Sequence, residues 1–132
     1  MLTRKSLFVL LTMVIVLLSF NLPVTAQYIP VTEPDLQIIG YTLVESKRVT
    51  MTTYDYTFVA HVKNNGSAAE NVTASLVAFP ASVTVSGDVN LSFGNISDGA
   101  TATSNETFTI RRLMTAAYND ADLLFAFDYD HP

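Results

Sequence analysis

The chain has 132 residues, twelve acidic and seven basic, for a net charge of −5, with no cysteine and no tryptophan. That balance excludes a surface built to track nucleic-acid phosphates or anionic lipid, because the few basic residues form no stripe. The missing cysteines exclude disulfide staples and thiolate metal sites, and two histidines would leave a zinc site dependent on carboxylates, which suit that ion poorly.

Arg4 and Lys5 open the chain with positive charge, and Leu7 to Phe20 is an apolar run broken only by Thr12 and Ser19. Val24-Thr25-Ala26 then supplies the small residues that a signal peptidase reads, so residues 1–26 are expected to form a cleavable signal peptide. The run is shorter than the roughly 20 apolar residues that a membrane-spanning helix needs. A retained, pilin-like leader is the rival reading; against it, the run carries no acidic residue and Pro23 ends it early. Cleavage before Gln27 removes 26 of the 132 residues and leaves 106, enough for one domain with a modest core. Without Arg4 and Lys5, five basic residues face twelve acidic ones, a net charge of −7. The expected location is secreted, either extracellular or periplasmic, with no membrane contact after cleavage.

Residues 27–35 hold Pro30 and Pro34, which restrict the backbone on both sides and predict an extended arm or linker. The domain proper is expected over residues 36–132. Leu36 to Val44 alternates imperfectly and predicts a first strand kinked at Gly40, with Lys47 and Arg48 in a charged turn. Val49 to Lys63 holds the strand that organises the rest. Tyr54, Tyr56, Phe58, Ala60 and Val62 fall on one face, and Asp55, Thr57, His61 and Lys63 on the other. Asn64-Asn65-Gly66-Ser67 tolerates positive φ and predicts a tight connection to a second alternating run, with Val72, Ala74 and Leu76 inward and Pro80 at its end. Val83 to Val85 is a short run before Ser86-Gly87-Asp88, a hairpin signal, and Leu91 to Ile96 leads into a turn at Asp98-Gly99. Thr101 to Arg111 predicts a threonine-rich strand with Phe108 and Ile110 inward, and Phe58 and Phe108 buried in facing strands. Residues 113–122 lack a two-residue period and suit a single helical turn. Leu123 to Tyr129 predicts a last strand with Leu123, Phe125 and Phe127 on one face. About seven strands separated by turn residues every 8 to 12 positions predict an all-β fold, an antiparallel immunoglobulin-like β-sandwich.

Three stretches carry a family resemblance: Tyr54 to Val77 with its Asn-x-Gly step, Leu91 to Ile110, and Asp120 to Phe127. Together they resemble the CARDB-type, cell-adhesion-related sandwich modules of bacterial secreted proteins. In those modules a strand ending in Asn-x-Gly precedes a polar turn, and a threonine-rich strand ends in an inward aromatic. The resemblance spans Leu36 to Phe127 and implies an extracellular spacer or adhesive role without catalysis. Such modules usually sit inside long multidomain proteins; one module is expected here, over residues 36–132.

Candidate chemistry is sparse. His61 lies on the polar face beside Lys63 and reads as a solvated strand histidine, and no nucleophile-elbow pattern is present. Asp120, Asp122, Asp128 and Asp130 place four of the twelve acids in the last 13 residues. Their hard oxygens suit calcium, although the spacing is not that of an EF-hand loop, and a solvated acidic surface is the plainer reading. Arg111-Arg112 reads as a charged strand end that could pair with these acids. Five Asn-x-Ser/Thr triplets, at Asn65, Asn71, Asn90, Asn95 and Asn105, exceed the roughly two that composition predicts, and turn-forming Asn beside strand-forming Thr produces such triplets by structure alone. The expected function is an exported, non-catalytic protein acting in protein binding, adhesion or surface assembly, with a protein partner or its own copies and no cofactor. The alternative is a calcium- or ligand-binding domain using the acidic C-terminal end.

Overall fold

A computed structural model describes residues 32–132; the signal-peptide reading and residues 27–31 of the arm lie outside the described residues. Eight strands follow in order: β1 (Leu36–Arg48), β2 (Thr53–Asn64), β3 (Ala69–Ala78), β4 (Val83–Val85), β5 (Asn90–Ile96), β6 (Thr101–Thr103), β7 (Phe108–Leu113) and β8 (Leu124–Asp130). One turn of 3-10 helix, Asp120–Asp122, supplies the helical piece expected before the last strand. One sheet has the order β1-β2-β7-β4, with β6 also on β2; the other has the order β5-β3-β8. All pairings are antiparallel. The chain therefore forms the expected all-β, two-sheet sandwich.

The two-residue alternation decides which faces meet. Ala60 and Val62 of β2 are completely buried, and they join Val72 and Ala74 of β3, Leu91, Phe93 and Ile96 of β5, and Phe108 and Ile110 of β7 in one core. At β8 the inward row of Leu123, just before the strand, and Phe125 and Phe127 within it is more covered than Leu124 and Ala126, as the pattern predicts. Phe58 and Phe108 depart from expectation. They are direct cross-strand partners within one sheet, with ring centroids 5.9 Å apart, and not opposite each other across the sandwich. The ring that faces them from the other sheet is Phe125, edge-on to Phe108 at 5.8 Å. Phe108 is buried, whereas Phe58 is only half-buried, because it lies toward the end of β2 that the three-stranded sheet covers less.

Several connections also differ from the sequence reading. β1 runs through Lys47 and Arg48, and the turn falls on Val49–Thr52, where the Thr50 hydroxyl accepts the Thr52 and Thr53 amides at 3.3 and 3.1 Å. Asn64–Ser67 and Ser86–Asp88 do not close hairpins; each carries the chain from one sheet to the other. The threonine-rich strand is interrupted. β6 and β7 lie along the same flank of β2, separated where Ser104 takes over the ladder. Its buried hydroxyl accepts the Ala60 amide at 3.0 Å and donates to the Glu106 carbonyl at 2.8 Å, while its own amide donates to the Ala60 carbonyl at 2.8 Å.

At the other end of β2, Asn64 is fully buried with every side-chain atom engaged. Its Oδ1 accepts the amides of Asp35 (3.1 Å) and Gly66 (3.0 Å). Its Nδ2 donates to the carbonyls of Ser67 (2.6 Å) and Ile96 (3.2 Å). The described end of the arm is held there too, with Asn65 N–H donating to the Asp35 carbonyl at 2.8 Å and Ser67 N–H to the Glu33 carbonyl at 3.2 Å. Gly66 is needed for space and not for its φ: a Cβ there would strike the Glu33 carbonyl and come within 2.6 Å of the Asp35 nitrogen.

Truncating Phe108 to alanine is expected to cost about 3–5 kcal/mol, the range for a buried aromatic. Phe58→Ala should cost clearly less, because part of its ring is already in water. Urea unfolding of the two variants checks this ordering; equal losses would contradict the burial difference.

Candidate functional site

Two adjacent arginines on β7 set up different surfaces, because neighbouring strand residues face opposite ways. Arg111 points outward and forms a bidentate pair with Asp55 of β2, Nε to Oδ1 at 2.8 Å and the second nitrogen to Oδ2 at 3.1 Å. The guanidinium beside it holds the Asp55 carboxyl below its ordinary value. The pair borders an open cleft of about 590 Å³ where β4 stops and the chain crosses to β5, lined also by Asp88, Asn90 and Thr109. Arg111 therefore pairs with Asp55 and not with the C-terminal acids.

Arg112 shares the inward parity of Phe108 and Ile110 and projects into the uncovered end of the sandwich. Its guanidinium carbon lies 4.7 Å from the ring centre of Tyr118. Together with Leu43, Tyr56, Phe58 and Asp120, these two residues line a small pocket of about 240 Å³. Tyr54, Tyr56 and Phe58 stack in a row along β2, with centroids 6.2 Å apart at each step, and the last two line the pocket. Arg112 Nε and the Tyr118 hydroxyl are the two side-chain polar atoms, among the described residues, that are buried without a hydrogen-bond partner. Burial, reinforced by the nearby Asp120 carboxylate, pushes the Tyr41 phenol up to about 12. Burial first, then the interaction of its hydroxyl with the Asp120 carboxylate, pushes Tyr118 above the usual phenol range, with the Arg112 charge opposing.

The four aspartates proposed for calcium are not gathered. Asp120 and Asp122 sit on the 3-10 turn, whereas Asp128 and Asp130 lie along β8. At about 3.3 Å per strand residue, Asp130 is some 20 Å of chain beyond Leu124. Among the described residues, no group of three or more His, Asp or Glu side chains is placed to hold a metal ion. Asp130 instead accepts from Asn71 Nδ2 at 2.9 Å.

His61 is held between two threonines on the outer face, Nε2 2.6 Å from Thr42 Oγ1 and Nδ1 2.9 Å from Thr103 Oγ1, which ties β1, β2 and β6 together. His131 Nε2 lies 3.3 Å from Glu33 Oε2, joining the chain end to the arm. The triplet asparagines have structural work: Asn71 takes φ 49° at a bulge, Asn95 Oδ1 accepts its amide, Asn90 accepts from Ser75, and Asn105 donates to Ser92.

β1 forms the remaining surface of interest. It is 13 residues long, pairs with β2 on one side, and is an edge of its sheet. Two register shifts, at Ile38/Gly40 and Leu43/Glu45, leave Ile39 and Val44 more than half exposed. Sequence reasoning missed Asn64, Ser104 and the Arg112–Tyr118 contact. Only Arg112 left a usable signal, its inward parity on β7.

The Tyr118 hydroxyl gives a direct test of the pocket. An orphaned buried hydroxyl costs roughly 1–3 kcal/mol, so Tyr118→Phe should leave the melting temperature unchanged or raise it. A clear drop would mean that the hydroxyl has a partner within the folded chain.

No protein-family model matches the chain, and the searches of curated proteins and solved structures likewise return no match.

Proposed function

We propose that the chain is an exported, non-catalytic β-sandwich that binds another protein, in adhesion or surface assembly, by accepting a strand along β1. The observation that carries this reading is the edge itself. A 13-residue strand paired on one side only presents a row of backbone groups that another chain can use. Ile39 and Val44, pushed out by the bulges, offer apolar side chains at two fixed points along that row. The same bulges bend the edge and oppose indiscriminate sheet-to-sheet pairing, which favours a selective partner. The leader-like residues 1–26 and the resemblance to CARDB-type modules support the export and adhesion parts of the proposal.

A photo-crosslinking amino acid at position 39 or 44, in protein produced by its own organism, is expected to capture the same discrete protein from both positions. Val77, equally exposed but on the other sheet, serves as the control. No adduct from either β1 position, or the same adduct from position 77, would overturn the proposal.

A further inference from the structure

We propose that the end of the sandwich opposite Asn64 is a self-association surface, on which a second copy of the chain docks tip to tip about a two-fold axis. Three stretches meet at this end: the Val49–Thr52 turn, residues 79–82, and residues 113–117 where β7 ends. Hydrogen bonds join them into one face, with Met114 N–H donating to the Thr52 carbonyl at 2.8 Å and Leu113 N–H to the Ser82 carbonyl at 3.0 Å. The Ser82 hydroxyl adds a bond to the Ala117 carbonyl at 3.1 Å. Among the described residues, this face holds five of the ten exposed large apolar side chains: Val49, Met51, Phe79, Leu113 and Met114. Met51 is 85 % exposed. Single exposed apolar residues are ordinary, whereas several gathered on one tied face mark an interaction surface. Methionines suit that role, since their flexible thioethers adapt to an opposing surface.

Charge argues for a second copy as the occupant. Arg48 ends β1 in one sheet, and Asp122 stands just before β8 in the other. Both are exposed, and neither forms an ion pair among the described residues. In a two-fold contact, residue i of one copy meets residue j of the other, and j meets i in return. An axis through the tip therefore sets the basic corner of each copy against the acidic corner of its partner, twice over. The far end of the molecule enforces this orientation: Glu33, Asp35, Glu70, Asp98 and Asp130 gather around it, with Lys63 as the one lysine or arginine. Tip-to-tip docking holds these two acidic ends farthest apart, whereas contact through them brings like charges together. A lipid bilayer fits less well, because seating the tip would carry Asp120 and Asp122 toward the headgroups beneath an acidic body. The inference does not rest on strand addition to β1, since Ile39 on that edge lies toward Asn64 and outside the tip.

Sedimentation velocity of the purified protein across a concentration series tests this. The wild type is expected to pass from monomer to dimer between about 1 μM and about 1 mM, the range of a small transient interface. Met51→Asp, at a side chain too exposed to support the fold, should weaken the dimer about tenfold or more with an unchanged unfolding midpoint. Arg48→Glu and Asp122→Arg should each weaken it about tenfold or more alone, because each sets like charges together twice. An equimolar mixture of those two variants restores both opposite-charge contacts, so it should associate to within about threefold of the wild type. A wild type that stays monomeric throughout, a Met51→Asp dimer as tight as the wild type, or a mixture no tighter than its separate components would overturn the proposal. So would a monomer that floats with phosphatidylcholine–phosphatidylglycerol vesicles and loses them on Met51→Asp, which would assign the tip to lipid.

Discussion

The sandwich depends on one buried amide. Asn64 ends β2, and its side chain makes four hydrogen bonds with no exposure to water. Its backbone adds two more, its N–H donating to Ala100 at 3.0 Å and its carbonyl accepting from Gly99 at 2.8 Å. Through these bonds a single residue joins the arm at Asp35, the corner to β3, the end of β5 at Ile96 and the turn before β6. Burying so polar a side chain is favourable only because all its donors and acceptors are paired, so the arrangement is close to all-or-none. A sandwich needs its two sheets closed at the ends as well as packed in the middle, and Asn64 does this at the end where the arm enters.

From that closed end, β2 carries order outward. Ala60 and Val62 sit in the dry core, and the ring row of Phe58, Tyr56 and Tyr54 runs from core to half-covered surface. The gradient along one strand explains why the molecule has a tightly packed end and an open one. At the open end the three-stranded sheet no longer covers its partner, and the inward face of β7 presents Arg112 where a core residue would otherwise stand. The Leu113–Asp122 segment, with Tyr118 and Asp120, closes over that gap incompletely and leaves a small pocket lined also by Arg112. Binding surfaces of this kind arise where packing runs out, because a fully packed face has nothing left to offer.

Much of this architecture was legible in the sequence for a simple reason. Alternation is a local signal, so the inward rows of β2, β3, β7 and β8 could be read without knowing which strands meet. Which sheet each strand joins is not local: Asn64–Ser67 and Ser86–Asp88 have hairpin chemistry, yet both carry the chain across the sandwich. Asn64 itself looked like a turn residue because Asn favours turns; its burial is decided by Asp35 and Ile96, each about thirty residues away. Ser104 was hidden in a run of threonine and serine whose strand propensity says nothing of an interruption. The acidic cluster misled in the opposite direction, since closeness in sequence along an extended strand becomes distance in space.

Native-state hydrogen exchange, comparing the wild type with Asn64→Ala, tests the central claim most directly. If Asn64 unites the arm, the corner and the β5–β6 turn, the amides of Asp35, Gly66, Ser67 and Gly99 should be protected together in the wild type. All four should lose protection together in the variant, while β3–β8 amides such as Ala74 keep theirs. Loss confined to Gly66, its nearest neighbour in sequence, would show a local turn contact and contradict the account.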